Sequence, residues 1–330
     1  MDSLTQIALG AAVGEAVLGR RVGYRAALWG AVCGTLPDLD VLIDYGGAVE
    51  DFTYHRSFSH SLLVMALITP LIVWLILKIH PQSRDQRRRW YVLVYLALAT
   101  HALLDSFTVY GTQILWPLTS YPVTWSSIFI IDPLYTLPLI VGVLCALIMQ
   151  RSTPRGHRFN TVGLMLSSAY LAWGVGAKMY VDEVARDSLA AQQIEYQELL
   201  TNPGPFNTVL WRVLAMTDDG YYEGFYSLLD DKPSVQFERY DSDPELLTGL
   251  GDHWPVQRLQ WFTKGFYSVS EQDREVRITD LRMGFEPDYV FSFKVAEISN
   301  PHPLPTPSIL QPTNQNWDRL PAIWRRIWGI

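Results

Sequence analysis

Val92-Leu-Val-Tyr-Leu-Ala-Leu-Ala-Thr-His101-Ala-Leu-Leu-Asp105 reads as a helix suited to a lipid interior, yet it closes on an imidazole and a carboxylate. A charged group at the centre of a membrane helix costs roughly 2.5–3.5 kcal/mol on insertion scales, so such groups are usually paired or functional. His101 and Asp105 are four apart and share one helix face, which lets both reach one ion. Taken alone, an ordinary buried His–Asp hydrogen bond is the simpler explanation.

Two more pairs lie outward from this stretch. Asp38-Leu39-Asp40 follows Pro37, and the residue before a proline is biased away from helix. In an extended segment alternate side chains point the same way, so both carboxylates can face one ion. In a helix they diverge by about 200°, leaving one ligand at most. A solvated turn is the alternative. His55-Arg56-Ser57-Phe58-Ser59-His60 stands before the apolar run Leu62-Leu-Val-Met-Ala-Leu-Ile68. A spacing of five does not align two side chains on one helix face, so His55 belongs to the loop, with Ser59 placed to cap the next helix. Structural histidines are the alternative here.

The conjunction carries the argument. Asp38, Asp40, His55, His60, His101 and Asp105 form a candidate metal-ligand set. These donors outnumber the needs of a single tetrahedral ion, so one or two divalent ions sharing a carboxylate are expected. Imidazole favours zinc, while carboxylates admit manganese, magnesium or iron. A divalent ion generates hydroxide near neutral pH, the basis of metal-dependent hydrolysis. Arg56 is expected to hold an anionic substrate group such as phosphate, or else to anchor lipid headgroups. Asp132, opening Asp-Pro-Leu-Tyr135, is expected to support the site as a ligand, an orienter of a histidine, or an N-cap. Gln6 can reach the cluster. Glu15, about 13 Å deeper by helical rise, is expected to pair with a buried donor. Tyr110-Gly111-Thr112-Gln113 is expected to line the pocket.

Composition agrees with a membrane setting. Hydrophobic residues make up 49% of the 330 and charged residues 18%, against about 25% charged in soluble proteins. The deficit falls in residues 1–180. The formal net charge of −7 argues against nucleic acid as a partner. Cys33 and Cys145 sit in apolar runs and are expected to be packed thiols. The opening Met1-Asp2-Ser3 lacks the basic region of a cleaved signal peptide. Residues 60–79, 90–105, 131–149 and 160–180 are apolar enough to span a bilayer as helices. Shorter segments at 4–18 and 26–36 carry small residues suited to close packing, Gly10, Gly14, Gly30 and Gly34 among them.

Lys78 to Arg89, Arg151 to Arg158 and Arg20 to Arg25 are basic connections, whereas Ser106 to Ile131 has no Lys or Arg. The positive-inside rule makes the basic loops cytoplasmic. Six membrane segments follow, with both termini outside and all the candidate ligands at the outer face.

After Tyr180 the character changes. Residues 181–201 read as a helix leaving the membrane. Strand-like runs follow at Thr208–Leu214, Tyr221–Leu229, Ser234–Tyr240, Phe262–Ser268, Glu275–Leu281 and Tyr289–Val295, separated by turn signals. Pro301–Pro312 reads as a stiff connector. Trp317 to Ile330 places tryptophans near one helical face, which suits an interfacial helix on lipid or a helix docked on the sheet domain.

Met1-Asp2-Ser3-Leu4-Thr5-Gln6, Gly10-Ala-Ala-Val-Gly14-Glu15, Gly34-Thr-Leu-Pro37-Asp38-Leu39-Asp40, His55-Arg56-Ser-Phe-Ser-His60-Ser61 and His101-Ala-Leu-Leu-Asp105 with Tyr110-Gly111-Thr112 resemble the bacterial YdjM-like family. Its members are described as inner-membrane, metal-dependent hydrolases. The resemblance covers about residues 1–150 and implies that the matching Asp and His residues hold the metal. Many members carry Thr-His where this chain has Thr5-Gln6, which leaves that position weaker as a ligand or gives it to water.

The expectation is therefore an α-helical polytopic membrane protein of about six membrane segments, the first two short, with a C-terminal α+β, mainly antiparallel β, extramembrane domain. Residues 1–180 form the membrane domain, 181–300 a periplasmic β-rich domain, and 301–330 a connector and interfacial helix. The expected activity is metal-dependent hydrolysis of a lipid-linked or amphiphilic substrate at the outer face of the inner membrane. A non-catalytic metal-stabilised scaffold or sensor, binding a protein partner of unknown kind, is the alternative.

Overall fold

Asp2 opens the first helix, its carboxylate accepting from the Thr5 amide at 3.1 Å as an N-cap does. The computed structural model describes residues 1–149, 155–312 and 320–329. The helices are α1 (Ser3–Gly14), α2 (Arg20–Val22), α3 (Arg25–Thr35), α4 (Ala48–Tyr54), α5 (Leu62–Ile79), α6 (Arg87–Ser106), α7 (Pro133–Met149), α8 (Arg155–Ala191), α9 (Trp254–Thr263) and α10 (Leu320–Arg326). The strands are β1 (Glu198–Pro203), β2 (Leu210–Met216), β3 (Gly220–Ser227), β4 (Phe237–Asp241), β5 (Tyr267–Gln272), β6 (Glu275–Phe285), β7 (Asp288–Glu297) and β8 (Leu304–Leu310). The chain divides into two units. One holds Met1–Ile43, His55–Val175 and Pro205–Asn207; the other holds Asp44–Tyr54, Gly176–Gly204 and Thr208–Ile330.

In the helical unit, α1 and α3 meet backbone to backbone. A Cβ built on Gly30 would overlap the Gly10 carbonyl oxygen, and one on Gly10 would overlap the Gly30 carbonyl oxygen. The small residues in both segments are what permit that approach. One apolar core joins Ala26 and Cys33 to Met65, Val73 and Ile76 of α5 and to Trp90, Leu93 and Leu98 of α6. A second joins α1 to Tyr135, Leu139 and Val143 of α7. Cys33 and Cys145 are free thiols.

Helices occupy the positions of the expected membrane segments. Among the described residues, α5 alone is long and apolar enough to cross a membrane, with mean hydropathy 2.5 over 18 residues. α7 is apolar but has 17 residues, and α6 begins with Arg87-Arg88-Arg89.

The second unit is two four-stranded antiparallel sheets, ordered β1-β2-β3-β4 and β5-β6-β7-β8. Buried Arg212 of β2 ties them together. It donates to Glu223 of β3 at 2.6 Å, to the Leu281 carbonyl of β6 at 2.6 Å and to the Tyr289 hydroxyl of β7 at 3.1 Å. Several local readings give way to tertiary pairing. The helix expected through residue 201 ends at Ala191, and Glu198–Pro203 pairs with β2 instead. Part of the Pro301–Pro312 stretch is not a connector but β8, at a sheet edge where a missing N–H costs no ladder bond. Phe262 ends a helix rather than starting a strand. Trp317 lies outside the described residues, but α10 is docked in this unit: Arg326 holds Asp230 at 2.6 and 2.7 Å, and Ser227 donates to the Ile327 carbonyl at 2.5 Å.

Candidate metal centre

The last turns of α6 set the site's floor. His101 and Asp105 are fully buried there. The C-terminal end of α3 leaves the Gly34 carbonyl oxygen 2.7 Å from His101 Nδ1. A carbonyl only accepts, so Nδ1 carries the proton and the neutral ring presents a lone pair at Nε2.

Pro37 starts a 3-10 segment, Leu36–Leu42, that carries both aspartates. At about three residues per turn the two carboxylates point apart, which is the helical outcome of the sequence reading. Asp38 reaches the histidines, its Oδ1 lying 3.5 Å from His60 Nε2 and 3.4 Å from His101 Nε2. Asp40 turns away to His55 Nδ1 at 2.8 Å and accepts from the Arg56 amide at 2.9 Å.

His60 ends a short 3-10 turn, Phe58–His60. The helix cap is Ser61, which accepts from Val64, and not the expected Ser59. Ser59 has another role: its hydroxyl donates to Asp40 Oδ2 at 2.5 Å and so accepts from His60 Nδ1 at 2.9 Å. His60 is thereby held, like His101, with its Nε2 lone pair inward.

The two Nε2 atoms face each other at 3.1 Å. Asp105 Oδ2 completes the group, 3.2 Å from His60 Nε2 and 3.6 Å from His101 Nε2. One donor atom from each of Asp38, His60, His101 and Asp105 lies within 4.8 Å of the others. Tetrahedral ligand bonds of about 2.0–2.1 Å place donors about 3.3–3.4 Å apart, so these spacings fit one small divalent cation. Asp105 Oδ2 is buried and, although Arg56 lies beside it, accepts no well-aligned hydrogen bond, a deficit that a cation would remove.

Arg56 is also buried and adopts a left-handed backbone with φ of 64°. Its Nε lies 3.2 Å from Asp105 Oδ2, its guanidinium sits 5.0 Å from the centre of the Tyr110 ring, and its carbonyl accepts from the Gln113 amide at 2.9 Å. The Tyr110–Gln113 stretch therefore packs against the site, as its sequence position implied. A non-glycine residue held at positive φ marks a place where the surroundings override local preference.

Gln6 donates to Asp105 Oδ1 at 2.9 Å, and the Met1 amino group donates to the same oxygen. Of the six expected ligands, four converge; Asp40 and His55 form an outer pair. Asp40's carboxyl is pushed up by burial but pulled further down by the hydrogen bond and charge of His55, and ends below the usual range. Asp132 is not with them: it caps α7 through the Leu134 amide at 3.0 Å and accepts from Tyr170 at 2.8 Å. Glu15 is elsewhere too, its carboxylate 3.8 Å from His157 Nδ1. Sequence reasoning missed the Ser59 relay and the Gly34 carbonyl, since neither carries a metal-ligand side chain.

Residues 1–181 match the YdjM inner membrane protein family. The chain is 26% identical over 314 residues to the uncharacterized protein YfhP of Bacillus subtilis (strain 168), covering 88% of this chain and 89% of that one. It is 29% identical over 174 residues to the inner membrane protein YbcI of Escherichia coli (strain K12), covering 49% of this chain and 87% of that one. No solved structure matches. With the match spanning more than half of its length, the chain belongs to the YdjM inner membrane protein family.

Proposed function

We propose that this chain is a polytopic inner-membrane hydrolase that uses one divalent cation, zinc by preference, on a lipid-linked or amphiphilic ester, a phosphoester above all. The observation that supports it is the facing pair of imidazole Nε2 atoms, 3.1 Å apart and bracketed by two carboxylates. Asp38, His60, His101 and Asp105 would hold the cation, which would supply Lewis acidity and activate water near neutral pH. The residues around it do the rest. Gly34 and the Ser59–Asp40 relay hold the imidazole protons outward. Gln6 steadies Asp105. Arg56 stands beside the cluster with a charge suited to an anionic substrate oxygen.

The multi-pass reading draws on side chains left uncovered along the helices. Leu67, Leu71 and Trp74 of α5, Leu134, Leu137 and Ile148 of α7, and Val162, Met165 and Trp173 of α8 are all exposed, an arrangement that suits lipid and not water. With the basic loops inside, the metal cluster and the β unit face the periplasm.

A second reading is favoured by one observation. Four protein residues each offer one donor atom, the number that a closed structural zinc site uses. The chain would then be a metal-stabilised scaffold or sensor whose β unit binds a partner. The two separate in one experiment: metal analysis of detergent-purified protein, coupled to a screen on phospholipids and lipid-linked phosphates. Metal-dependent turnover that Arg56→Gln lowers while metal content holds supports the hydrolase. Full metal content with no turnover on any substrate supports the scaffold.

A further inference from the structure

At the other end of α5, about 27 Å from His60 by helical rise, the turn into α6 borders a half-open cleft of about 580 Å³. One wall is apolar: Val73, Trp74 and Leu77 of α5. The other carries three cations, Lys78, Arg84 and Arg87, with Tyr91 one turn further along α6. Among the described residues, none of the three cations lies within ion-pair distance of a carboxylate. The adjacent Asp85 instead accepts from Gln86 at 2.6 Å.

The hairpin that presents them is braced from inside. Fully buried Trp90 donates to Ser83 at 3.1 Å, and the Ser83 amide donates to the His80 carbonyl at 3.0 Å. Aromatic rings support the cations: Lys78 Nζ is 5.2 Å from the centre of Trp74, and the Arg87 guanidinium is 5.7 Å from that of Tyr91. Depth supplies the remaining argument. An 18-residue helix spans about 27 Å, close to a bilayer's hydrocarbon core. Lys78, next to the last residue of α5, therefore sits at headgroup level. Trp74 lies one turn within, at the acyl boundary where such rings are enriched.

We propose that this cleft is a phospholipid site, taking the anionic headgroup of a phosphatidylglycerol-type lipid on Lys78, Arg84 and Arg87 and one acyl chain along Val73, Trp74 and Leu77. By the charge rule it opens to the cytoplasmic leaflet, away from the metal cluster, and it does not depend on the hydrolase reading. The charge complementarity and the apolar wall together select a lipid over a soluble anion, which would use the cations alone.

The test is native mass spectrometry of the full chain in detergent, titrated separately with phosphatidylglycerol and phosphatidylcholine. The wild type retains phosphatidylglycerol in preference. At about fivefold per basic residue, the K78Q/R84Q/R87Q variant needs roughly a hundredfold more phosphatidylglycerol for half-occupancy. R84K/R87K stays within a few-fold of wild type, and metal content at Asp38, His60, His101 and Asp105 is unchanged in both variants. Equal retention of the two lipids by the wild type overturns the proposal. So does a triple variant that binds as tightly as the wild type, or displacement of the lipid by inorganic phosphate at equal concentration.

Discussion

Asp38 and Asp40 stand two apart in sequence and meet opposite nitrogens of His60, Asp38 facing Nε2 and Asp40 reaching Nδ1 through Ser59. Asp38 Oδ1 lies 3.4 Å from His101 Nε2, whereas Asp40 Oδ1 lies 2.8 Å from His55 Nδ1. The 3-10 geometry of Leu36–Leu42 turns successive side chains by about 120°, so the two carboxylates point apart: Asp38 meets the facing Nε2 atoms, while Asp40 meets His55 and, through Ser59, the outer nitrogen of His60. Substitution should therefore split the pair. Asp38→Ala removes a candidate donor and should weaken binding of an added divalent metal by roughly a hundredfold or more. His55→Ala leaves affinity within about tenfold, since His55 lies outside the donor set. Competition titration with a chromophoric chelator reads both; equal losses would rule out the assignment.

Ser59 makes a more discriminating case because it has no metal-ligand chemistry of its own. Its hydroxyl links Asp40 to His60 Nδ1. Ser59→Ala frees the imidazole to change tautomer and should cost about 10–100-fold in metal affinity, as losses of such outer partners do. Asp40→Asn should fall in the same range. A Ser59→Ala protein with wild-type affinity would mean that His60 is held by packing alone.

How much of this the sequence reveals follows from range. His101 and Asp105 were readable because one helix sets their relation. Asp38 was readable only as a conditional, since the choice between extended and 3-10 backbone is made by Pro37 and its tertiary surroundings. The Gly34 carbonyl was invisible because a backbone acceptor leaves no mark in sequence. In the β unit, Leu304-Pro-Thr-Pro-Ser-Ile-Leu310 looked like a connector, and only the neighbouring β7 makes it a strand. Trp254–Thr263 carries no clear helical signal in sequence because its aromatics also suit strands.

The α1–α3 contact sets the position of Gly34 and hence of His101. Gly30→Ala would drive a methyl group into the Gly10 carbonyl oxygen. Such overpacking typically costs about 1–3 kcal/mol. Thermal unfolding in detergent should show a lowered midpoint, with Leu28→Ala, on the exposed side of α3, as the comparison. An unchanged midpoint in Gly30→Ala would mean that the helices part without penalty.

Between Asp40 and His55 the chain leaves the helical unit and α4 packs in the β unit. Phe52 anchors it among Phe262, Phe291 and Phe293, with ring centres at 5.0, 4.6 and 5.2 Å. Arg258 adds a hydrogen bond to Thr53 at 2.9 Å. Phe52→Ala opens a buried cavity and should destabilise the β unit by about 3–5 kcal/mol. Increased proteolysis within residues 44–54 is the corresponding readout, and a wild-type digestion pattern would contradict it.

The α10 docking supplies a pH dependence with a definite sign. Burial pushes the Asp230 carboxyl up, but the Arg326 hydrogen bonds and charge more than offset this, so its folded pKa lies below the ordinary value. A depressed acid stabilises the fold above its unfolded pKa of about 3.9, and the contribution is lost as pH falls through the lower folded value. Arg326 is 32% exposed and solvent screens the pair, so the contribution is about 0.5–1 kcal/mol. Denaturant unfolding of wild type and Asp230→Asn should therefore differ at pH 7, hold that difference to about pH 5, and converge by about pH 3. A gap that persists undiminished at pH 3 would show that Asp230 contributes through packing and not through charge.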